Sequence, residues 1–450
     1  MISYKLYAVT DRSWLREGET LAGAVRDAIL GGATVVQLRE KELPEEEFKE
    51  LALSVKKVCN AYNVTFLIND NVKLAKEVDA DGAHIGVNDM TVYMARKILG
   101  DNKIVGVTAA SVDEAKEAEK AGADYLGSGA IFGSDTKKDA SKLSPQVLRE
   151  ICNSVKIPVV TIGGINAYNV SALRSTKIAG VAVASGIFAE KNKTRASRDI
   201  IANLYGNPIV HTITNHVTAN GVANMIHAFG CSPIMAHNVN EVEEVQEDAS
   251  ALLINLGATD DYNAIRRAYR TAIEEEHIIT IDPVGVSGIR YRLNFLMELL
   301  EIGRPTCIRG NYSEIMAIYN KDVTGSGLDS SIGNVDIKDI TQKLAKELDT
   351  IVVASGTIDI VSNGKNVTEI QSGHPLQKKL TGSGCMLSAG ICSALSVGAI
   401  NYCGISNKKL IITSSTCKEI GDAAYIAAEK TLEADKGIYS FQTAWFDELY

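Results

Sequence analysis

Short apolar runs rich in β-branched residues alternate with amphipathic helical patterns from the start of the chain to about residue 188. Most of the intervals between the apolar runs carry such helical patterns, for example Pro44–Tyr62 and Ser111–Ala121. Eight alternations of strand and helix within this length favour a closed (β/α)8 barrel over an open sheet. The predicted strands are Lys5–Val9, Val35–Arg39, Thr65–Asn69, Ala83–Ile85, Lys103–Thr108, Tyr125–Ser128, Val159–Ile162 and Gly180–Ala184.

A second α/β pattern begins after a charged stretch at residues 189–206, which we interpret as the last barrel helix and a linker. The pattern predicts an open, mostly parallel sheet with helices on both faces, and domains at residues 1–205 and 206–450. The predicted strands are Ala251–Asn255, His277–Ile281, Pro305–Arg309, Thr350–Ala354 and Asp359–Ser362. The predicted helices are Val217–Phe229, Asp261–Glu275, Asp336–Glu347, Cys385–Gly398 and Lys408–Leu432.

Composition narrows the class of protein. The chain is 46% hydrophobic and 22% charged, which is typical of globular proteins. Its length of 450 residues predicts two or three domains. A net charge of −9 argues against nucleic acid as a partner, because phosphate backbones require basic surfaces. The start of the chain lacks a signal-peptide pattern, no run reaches membrane-spanning length, and the eight cysteines form no C-x-x-C pair. We therefore expect a cytoplasmic protein without a membrane partner.

Polar side chains cluster where the predicted barrel strands end. Gln37, Arg39 and Lys41 alternate on one side of an extended segment, which places the two cations about 7 Å apart, a spacing that suits a diphosphate. Asp70 and Asp89 each follow a strand, and two carboxylates beside phosphate groups suit Mg²⁺. Solvated strand ends and ordinary turn residues are the alternative interpretations. The remaining polar or small residues at these ends are Asn69, Thr108, Ser128, the loop 133–139 with Ser134, Thr136 and Lys137, Gly163, Gly164, Ala184 and Ser185.

In the second half, the segment Leu380-Thr-Gly-Ser-Gly-Cys385 opens a predicted helix of small and apolar residues. Glycines at a helix start let backbone N–H groups and the positive helix end face an anion, and Cys385 lies on the first turn. A turn that merely caps a buried helix is the alternative. Three further polar groups end predicted strands: Asp282, Arg309 with Glu314, and Ser355. Together they would meet at the carboxyl edge of the sheet, where open α/β sheets bind ligands.

The first half resembles thiamine phosphate synthases. The matching motifs are Gln37-Leu-Arg-Glu-Lys41, Leu67-Ile-Asn-Asp70, Ala80-Asp-Gly-Ala-His-Ile-Gly-Val-Asn-Asp89, Gly122-Ala-Asp-Tyr-Leu-Gly127, Thr136-Lys-Lys-Asp139 and Ile162-Gly-Gly-Ile165. The resemblance implies that an aminopyrimidine methyl diphosphate loses pyrophosphate and that a thiazole nitrogen attacks the resulting cation. The implied pyrimidine diphosphate site contains Gln37, Arg39, Lys41, Asn69, Thr108 and Lys137, the implied Mg²⁺ site Asp70 and Asp89, and the implied thiazole phosphate site Ser134, Thr136, Gly164, Ala184 and Ser185.

The second half resembles hydroxyethylthiazole kinases of the ribokinase-like class. The matching motifs are Val210-His-Thr-Ile-Thr-Asn215, Cys231-Ser-Pro-Ile-Met-Ala236, Leu253-Ile-Asn-Leu-Gly257, Asp282-Pro-Val-Gly285, Arg309-Gly-Asn311 with Glu314, and Leu380–Cys385. The implied thiazole alcohol site contains Asn215, Met235 and Gly382, Arg309 and Ser355 would contact ATP, Glu314 would serve the metal, and Cys385 would be the catalytic residue. The resemblance also implies a homo-oligomer based on kinase trimers.

Taken together, the two resemblances predict one bifunctional enzyme of thiamine salvage that uses small-molecule substrates, ATP and Mg²⁺. Three alternatives differ from it. The barrel could perform a tautomerisation, but a tautomerase has no diphosphate for Arg39 and Asp70 to serve. The second half could phosphorylate a pyrimidine alcohol, against which the segments around Asn215 and Met235 argue. The whole chain could be a non-catalytic thiamine sensor, which the polar strand ends in both halves disfavour.

Overall fold

A computed structural model describes residues 2–86, 89–133, 143–258, 262–323, 336–401 and 406–450. The chain forms two compact units, Met1–Gly206 and Asn207–Tyr450. Among the described residues, none of the helices is both long and apolar enough to cross a lipid bilayer.

Unit one is a closed barrel of eight parallel strands in sequence order, with β1 paired to β8. Large side chains that alternate along the strands, such as Tyr7, Leu67 and Tyr125, fill its interior. The predicted barrel is confirmed, and the predicted strand bounds differ from the structure by one residue at most. The strands are β1 (Leu6–Val9), β2 (Val35–Leu38), β3 (Thr65–Asn69), β4 (Gly82–Ile85), β5 (Ile104–Thr108), β6 (Tyr125–Gly129), β7 (Val159–Ile162) and β8 (Gly180–Val183).

Helices connect these strands on the outside of the barrel. Their N-terminal ends carry side-chain caps such as Thr20, Ser111 and Ser144, each of which accepts a backbone N–H of the first turn. The predicted last barrel helix is present. The α-helices are α1 (Leu21–Leu30), α2 (Glu45–Ala61), α3 (Val72–Glu77), α4 (Val92–Leu99), α5 (Val112–Lys120), α6 (Pro145–Ser154), α7 (Ser185–Phe188) and α8 (Lys193–Tyr205).

Unit two is an eight-stranded sheet with the order β10-β9-β11-β12-β13-β14-β15-β16. Its strands are parallel except for β15, which runs antiparallel to both β14 and β16. Two apolar clusters cover its two faces, so the predicted open, mostly parallel sheet is confirmed. The strands are β9 (Ile209–Ile213), β10 (Ser232–Ile234), β11 (Ala251–Asn255), β12 (Ile278–Asp282), β13 (Cys307–Asn311), β14 (Ile351–Ser355), β15 (Asp359–Ser362) and β16 (Val367–Ile370).

The helices of unit two include four that the sequence pattern did not predict, which are Val242–Asp248, Arg290–Ile302, Tyr312–Asn320 and Ile438–Leu449. The α-helices are α9 (Ala219–Ala228), α10 (Val242–Asp248), α11 (Tyr262–Glu274), α12 (Arg290–Ile302), α13 (Tyr312–Asn320), α14 (Ile337–Leu348), α15 (Ser383–Asn401), α16 (Ser406–Glu433) and α17 (Ile438–Leu449). In both units the polar strand ends lie at the carboxyl edge, which is where the sites below are found.

Candidate active sites

The barrel rim is formed by the carboxyl ends of its eight strands. Gln37 lies one residue before the end of β2, while Asn69 and Thr108 are the last residues of β3 and β5. Closure of an all-parallel barrel puts these positions on one face. Just beyond β2, the Arg39 N–H donates to Thr10 Oγ1 at 3.1 Å, which fixes the backbone at the start of the Arg39–Lys41 segment.

Asp70 and Asp89 form a carboxylate pair at this rim. Asp70 directly follows β3 with φ +61°, and its N–H donates to the His84 carbonyl at 2.8 Å. Although the residue is exposed as a whole, partial desolvation of its carboxyl and the neighbouring Asp89 carboxyl raise the pKa of Asp70 to about 6, while the Lys41 charge opposes the shift. Two carboxyls that repel each other in this way suit a divalent cation.

No group of three or more metal-ligating side chains occurs in the described part of the chain. A pair of carboxylates still fits Mg²⁺, which commonly takes one or two carboxylates and completes its shell with water and phosphate oxygens. The Asp70–Asp89 pair is therefore the candidate cation site of the barrel.

The predicted thiazole phosphate residues are described only in part. Ser134 and Thr136, and with them Lys137 of the diphosphate set, lie outside the described residues. Gly164 follows β7 at φ +61°, and a Cβ there would lie 3.0 Å from the Gly133 carbonyl oxygen. The loops after β6 and β7 therefore pack closely. Ala184 directly follows β8 and Ser185 begins α7, so both stand at the same rim.

Below the rim, a run of hydrogen bonds crosses the barrel interior; we call it the barrel relay. Gln37 Nε2 donates to Tyr7 Oη at 2.7 Å, and the Tyr7 and Tyr125 hydroxyls are 2.8 Å apart. Tyr125 Oη then contacts His84 Nδ1 at 2.8 Å, and His84 Nε2 contacts Thr108 Oγ1 at 3.1 Å. The sequence reasoning missed the three middle residues, Tyr7, Tyr125 and His84.

The site of unit two is built around Asp282, the last residue of β12, which is 1% exposed. Its Oδ2 accepts from Asn255 Nδ2 at 2.9 Å, and its Oδ1 lies 3.9 Å from Arg309 Nη1. Among the described residues, Asp282 Oδ1 and Arg309 Nε are buried without a hydrogen-bond partner. Burial raises the pKa of Asp282, and the Arg309 charge opposes this. Unpaired buried polar atoms of both signs fit a site that a phosphate and its metal would complete.

Arg309 also reaches the neighbouring strand. Its Nη2 donates to Ser355 Oγ at 2.5 Å, and Ser355 Oγ donates to the Gly310 carbonyl at 3.2 Å. A Cβ on Gly384 would lie 2.6 Å from Arg309 Nη1, so this glycine of the 380–385 loop leaves room for the guanidinium. The predicted ATP residues Arg309 and Ser355 therefore lie together beside the predicted anion cradle.

Glu314 sits on the first turn of α13 and is 7% exposed. Its Oε1 accepts from Gly285 N at 2.9 Å and its Oε2 from Asn311 N at 2.8 Å, while Asn311 Oδ1 caps the helix. Burial and the negative charge of Asp282 raise the pKa of Glu314. The carboxylate thus ties the turn after β12 to the end of β13.

Cys385 lies on the first turn of α15, as predicted, and its Sγ accepts from Asn255 Nδ2 at 3.1 Å. Burial and the charge of Asp282 raise the pKa of the thiol to about 12. A helix N-terminus alone would lower that pKa. In this chain burial and a like charge outweigh the helix end, so the thiol keeps its proton at neutral pH.

Two of the three predicted thiazole alcohol residues, Asn215 and Gly382, adjoin this centre. Asn215 Nδ2 donates to Asn255 Oδ1 at 3.4 Å, and Met235 packs on the core cluster that also contacts Cys385. Gly382 has φ +84°, and a Cβ there would lie 2.5 Å from Thr218 Cγ2. Asn255 joins Asn215 to Asp282 and Cys385. Sequence reasoning gave it no role, although its place at the end of a buried strand was a usable signal.

Comparison with known proteins gives each unit a family. The model of the thiamine monophosphate synthase family matches residues 6–187, and the model of the hydroxyethylthiazole kinase family matches residues 203–450. A probable thiamine biosynthetic bifunctional enzyme of Schizosaccharomyces pombe is 31% identical over 433 residues, covering 86% of this chain and 84% of the relative. The thiamine biosynthetic bifunctional enzyme of Saccharomyces cerevisiae is 31% identical over 466 residues, covering 87% and 86%.

The first unit also has relatives of its own length. A thiamine-phosphate synthase of Clostridium acetobutylicum is 48% identical over 203 residues, which cover 44% of this chain and 96% of that protein. The two family models fall on the two compact units, in the order found in the fungal relatives. The chain therefore belongs to the family of bifunctional thiamine biosynthetic enzymes, with a thiamine monophosphate synthase unit followed by a hydroxyethylthiazole kinase unit.

Proposed function

We propose that the chain makes thiamine phosphate in two steps at separate sites. Residues 206–450 transfer the γ-phosphate of ATP to 4-methyl-5-(2-hydroxyethyl)thiazole. Residues 1–205 then join this thiazole phosphate to 4-amino-2-methyl-5-hydroxymethylpyrimidine diphosphate and release pyrophosphate. The observation that carries the proposal is that each unit gathers carboxylates and cations at the carboxyl edge of its own sheet.

In the synthase step, the bond between the pyrimidine methylene carbon and the diphosphate oxygen breaks, and its electron pair leaves with the oxygen. Arg39, Lys41 and Lys137 would bind the departing charge, with Asn69 and Thr108 beside it. Asp70 and Asp89 would hold Mg²⁺, which would neutralise diphosphate charge. Support comes from the raised pKa of Asp70, which partial desolvation and the neighbouring Asp89 carboxyl both cause. Ser134, Thr136, Gly164, Ala184 and Ser185 would bind the thiazole phosphate so that the ring nitrogen faces the methylene carbon.

In the kinase step, the alcohol oxygen attacks the γ-phosphorus, the bond from this phosphorus to the bridging oxygen breaks, and ADP leaves. The alcohol proton passes to an oxygen of the transferred phosphoryl group. Asn215, Met235 and Gly382 would hold the alcohol, and Arg309 with Ser355 would hold ATP phosphates. Glu314 would reach Mg²⁺ through water, while its two oxygens hold the backbone N–H groups of Gly285 and Asn311. Cys385, with its raised pKa, would orient the alcohol as a neutral thiol rather than ionise before the attack.

We further propose that the kinase unit assembles as a trimer. Val217 is 79% exposed and Ile234 is 37% exposed, next to the alcohol residues Asn215 and Met235. Light scattering on the full chain tests this, and a monomer at all concentrations would contradict it.

The function is tested by incubating the purified chain with the thiazole alcohol, ATP, Mg²⁺ and the pyrimidine diphosphate. Thiamine phosphate should form, and omission of ATP should stop it unless thiazole phosphate is supplied. Failure to form it from supplied thiazole phosphate would contradict the synthase assignment, whereas failure to make thiazole phosphate would contradict the kinase assignment.

A further inference from the structure

The barrel relay connects two residues of the proposed pyrimidine diphosphate site through three residues that lie lower in the barrel. Gln37 and Thr108 are its ends at the rim, and Tyr7, Tyr125 and His84 lie between them. Tyr7 is 2% exposed and Tyr125 is fully buried. A buried polar network is stable only when each member finds a partner, so the orientation of one member constrains the next.

The donor at Gln37 selects one of the two possible directions of the relay. Burial raises the pKa of both tyrosines above its ordinary value, so each hydroxyl has one hydrogen to donate. Gln37 Nε2 donates to Tyr7 Oη. The Tyr7–Tyr125 and Tyr125–His84 contacts allow either direction, and the direction that continues from Gln37 runs from Tyr7 Oη to Tyr125 Oη and from Tyr125 Oη to His84 Nδ1.

In this direction a neutral imidazole would carry its hydrogen on Nε2 and donate it to Thr108 Oγ1. The ends of the relay consequently differ. Gln37 is left with its carbonyl Oε1, an acceptor, and Thr108 is left with its hydroxyl hydrogen, a donor.

Two glycines inside strands make room for the middle of the relay. A Cβ on Gly106 would lie 2.1 Å from Tyr125 Cζ, and a Cβ on Gly127 would lie 2.8 Å from His84 Cε1. Glycine inside a strand weakens the strand and commonly marks a close approach. Gly106 and Gly127 therefore contribute no side chain to the barrel interior and leave space for the rings of Tyr125 and His84. This is expected if the function of the barrel depends on where these rings lie.

We propose that Tyr7, Tyr125 and His84 are positioning residues of the synthase, which orient the Gln37 amide to accept from the amino group of the pyrimidine and the Thr108 hydroxyl to donate to its diphosphate. The inference rests on the proposed function of the barrel. The relay matches the substrate, because an exocyclic amino group is a donor whereas diphosphate oxygens are acceptors. The opposite direction would present an amide donor to the amino group.

The test measures ligand binding by calorimetry on the full chain without thiazole phosphate. The two ligands are the 4-amino-2-methylpyrimidine diphosphate and the same compound with hydrogen in place of the amino group. Tyr125→Phe interrupts the relay while keeping the ring. Tyr4→Phe is the matched control, because Tyr4 is also buried and its ring lies 4.8 Å from that of Tyr125, but it is not part of the relay.

We expect the parent chain and Tyr4→Phe to prefer the amino ligand by about tenfold, which corresponds to ~1.4 kcal/mol. Tyr125→Phe should reduce this preference to about threefold or less, mainly by weakening the amino ligand. The KM for thiazole phosphate and the kinase rate should not change. Tyr7→Phe interrupts the relay one step earlier and should give the same loss, which provides a second variant if Tyr125→Phe does not fold.

An unchanged preference in both relay variants would overturn the inference, and so would equal weakening of both ligands, which is the result expected of a merely structural role. Tighter binding of an analogue with a carbonyl in place of the amino group would show the opposite direction and would also overturn it. If the parent chain binds neither ligand, the proposed function of the barrel fails instead.

Discussion

Glu314 is predicted to stabilise the kinase unit by holding two backbone N–H groups, apart from any role with a metal. Its carboxylate accepts from Gly285 N at 2.9 Å and from Asn311 N at 2.8 Å. Glu314→Gln keeps one acceptor but turns an NH₂ group toward the other donor, which should lower the free energy of unfolding by about 1–2 kcal/mol. Glu314→Ala leaves both donors unpaired and should lower the free energy of unfolding by about 2–4 kcal/mol. This is the lower part of the range for two unpaired buried donors, each of which costs about 1–3 kcal/mol.

We place the loss in the smaller part of that range because burial and Asp282 raise the pKa of Glu314, so neutralising it also relieves some repulsion. Denaturant unfolding followed by tryptophan fluorescence can isolate this unit. Of the two tryptophans, Trp445 is 1% exposed and lies in the kinase unit, while Trp14 is 39% exposed and is removed by Trp14→Phe. Exposed Glu429→Ala is the control and should change stability by less than ~0.5 kcal/mol. The reasoning is wrong if Glu314→Ala unfolds as Glu429→Ala does.

Three further predictions concern the two activities. Arg309→Ala removes the cation that lies 3.9 Å from Asp282 and should slow thiazole phosphorylation about 100-fold or more. Coupling of supplied thiazole phosphate should continue at the parent rate. Loss of both activities in a folded chain would contradict the assignment. Because the pKa of Asp70 is about 6, Mg²⁺ activation of the synthase should weaken as the pH falls through that value and Asp70 takes a proton. Asp89→Asn should lower the pH at which this loss of activation occurs, and Mg²⁺ titrations above and below pH 6 would show the change. Since the pKa of the Cys385 thiol is about 12, Cys385→Ala should lower the kinase kcat by less than ~100-fold, which is less than loss of a general base usually costs. A larger loss together with an altered pH–rate profile would show that the thiol ionises.

Strand ends were predictable because hydrophobic runs mark buried strands and a closed barrel or parallel sheet brings their carboxyl ends together. Thr108 and Asp282 stand at such ends, where the pattern placed chemistry. Strands β9, β10 and β16 were missed for identifiable reasons. β9 carries His211 and Thr212 in its interior, β10 has three residues including a proline, and β16 is a partly exposed edge strand.

The barrel relay was not predicted, because Tyr7 and Tyr125 lie near the starts of their strands and reach the centre only through their length. The usable signal was glycine inside strand patterns, at Gly106 and Gly127. The protonation state of the Cys385 thiol could not be predicted from the sequence either. It depends on burial and on the Asp282 carboxylate, which lies about a hundred positions earlier in the chain, too far for a local sequence pattern to reveal.

The Asn255 side chain contacts the N–H group of Gly257 in its own turn and three other segments of the kinase unit, at Asn215, Asp282 and Cys385. A single side chain thus shares its two donors and its one carbonyl among residues with different assigned tasks. Replacements at any two of these positions should show strong epistasis, because each one changes the orientation that Asn255 offers to the others. During divergence of such enzymes, substitutions around Asn255 would have to be accepted in combination rather than singly.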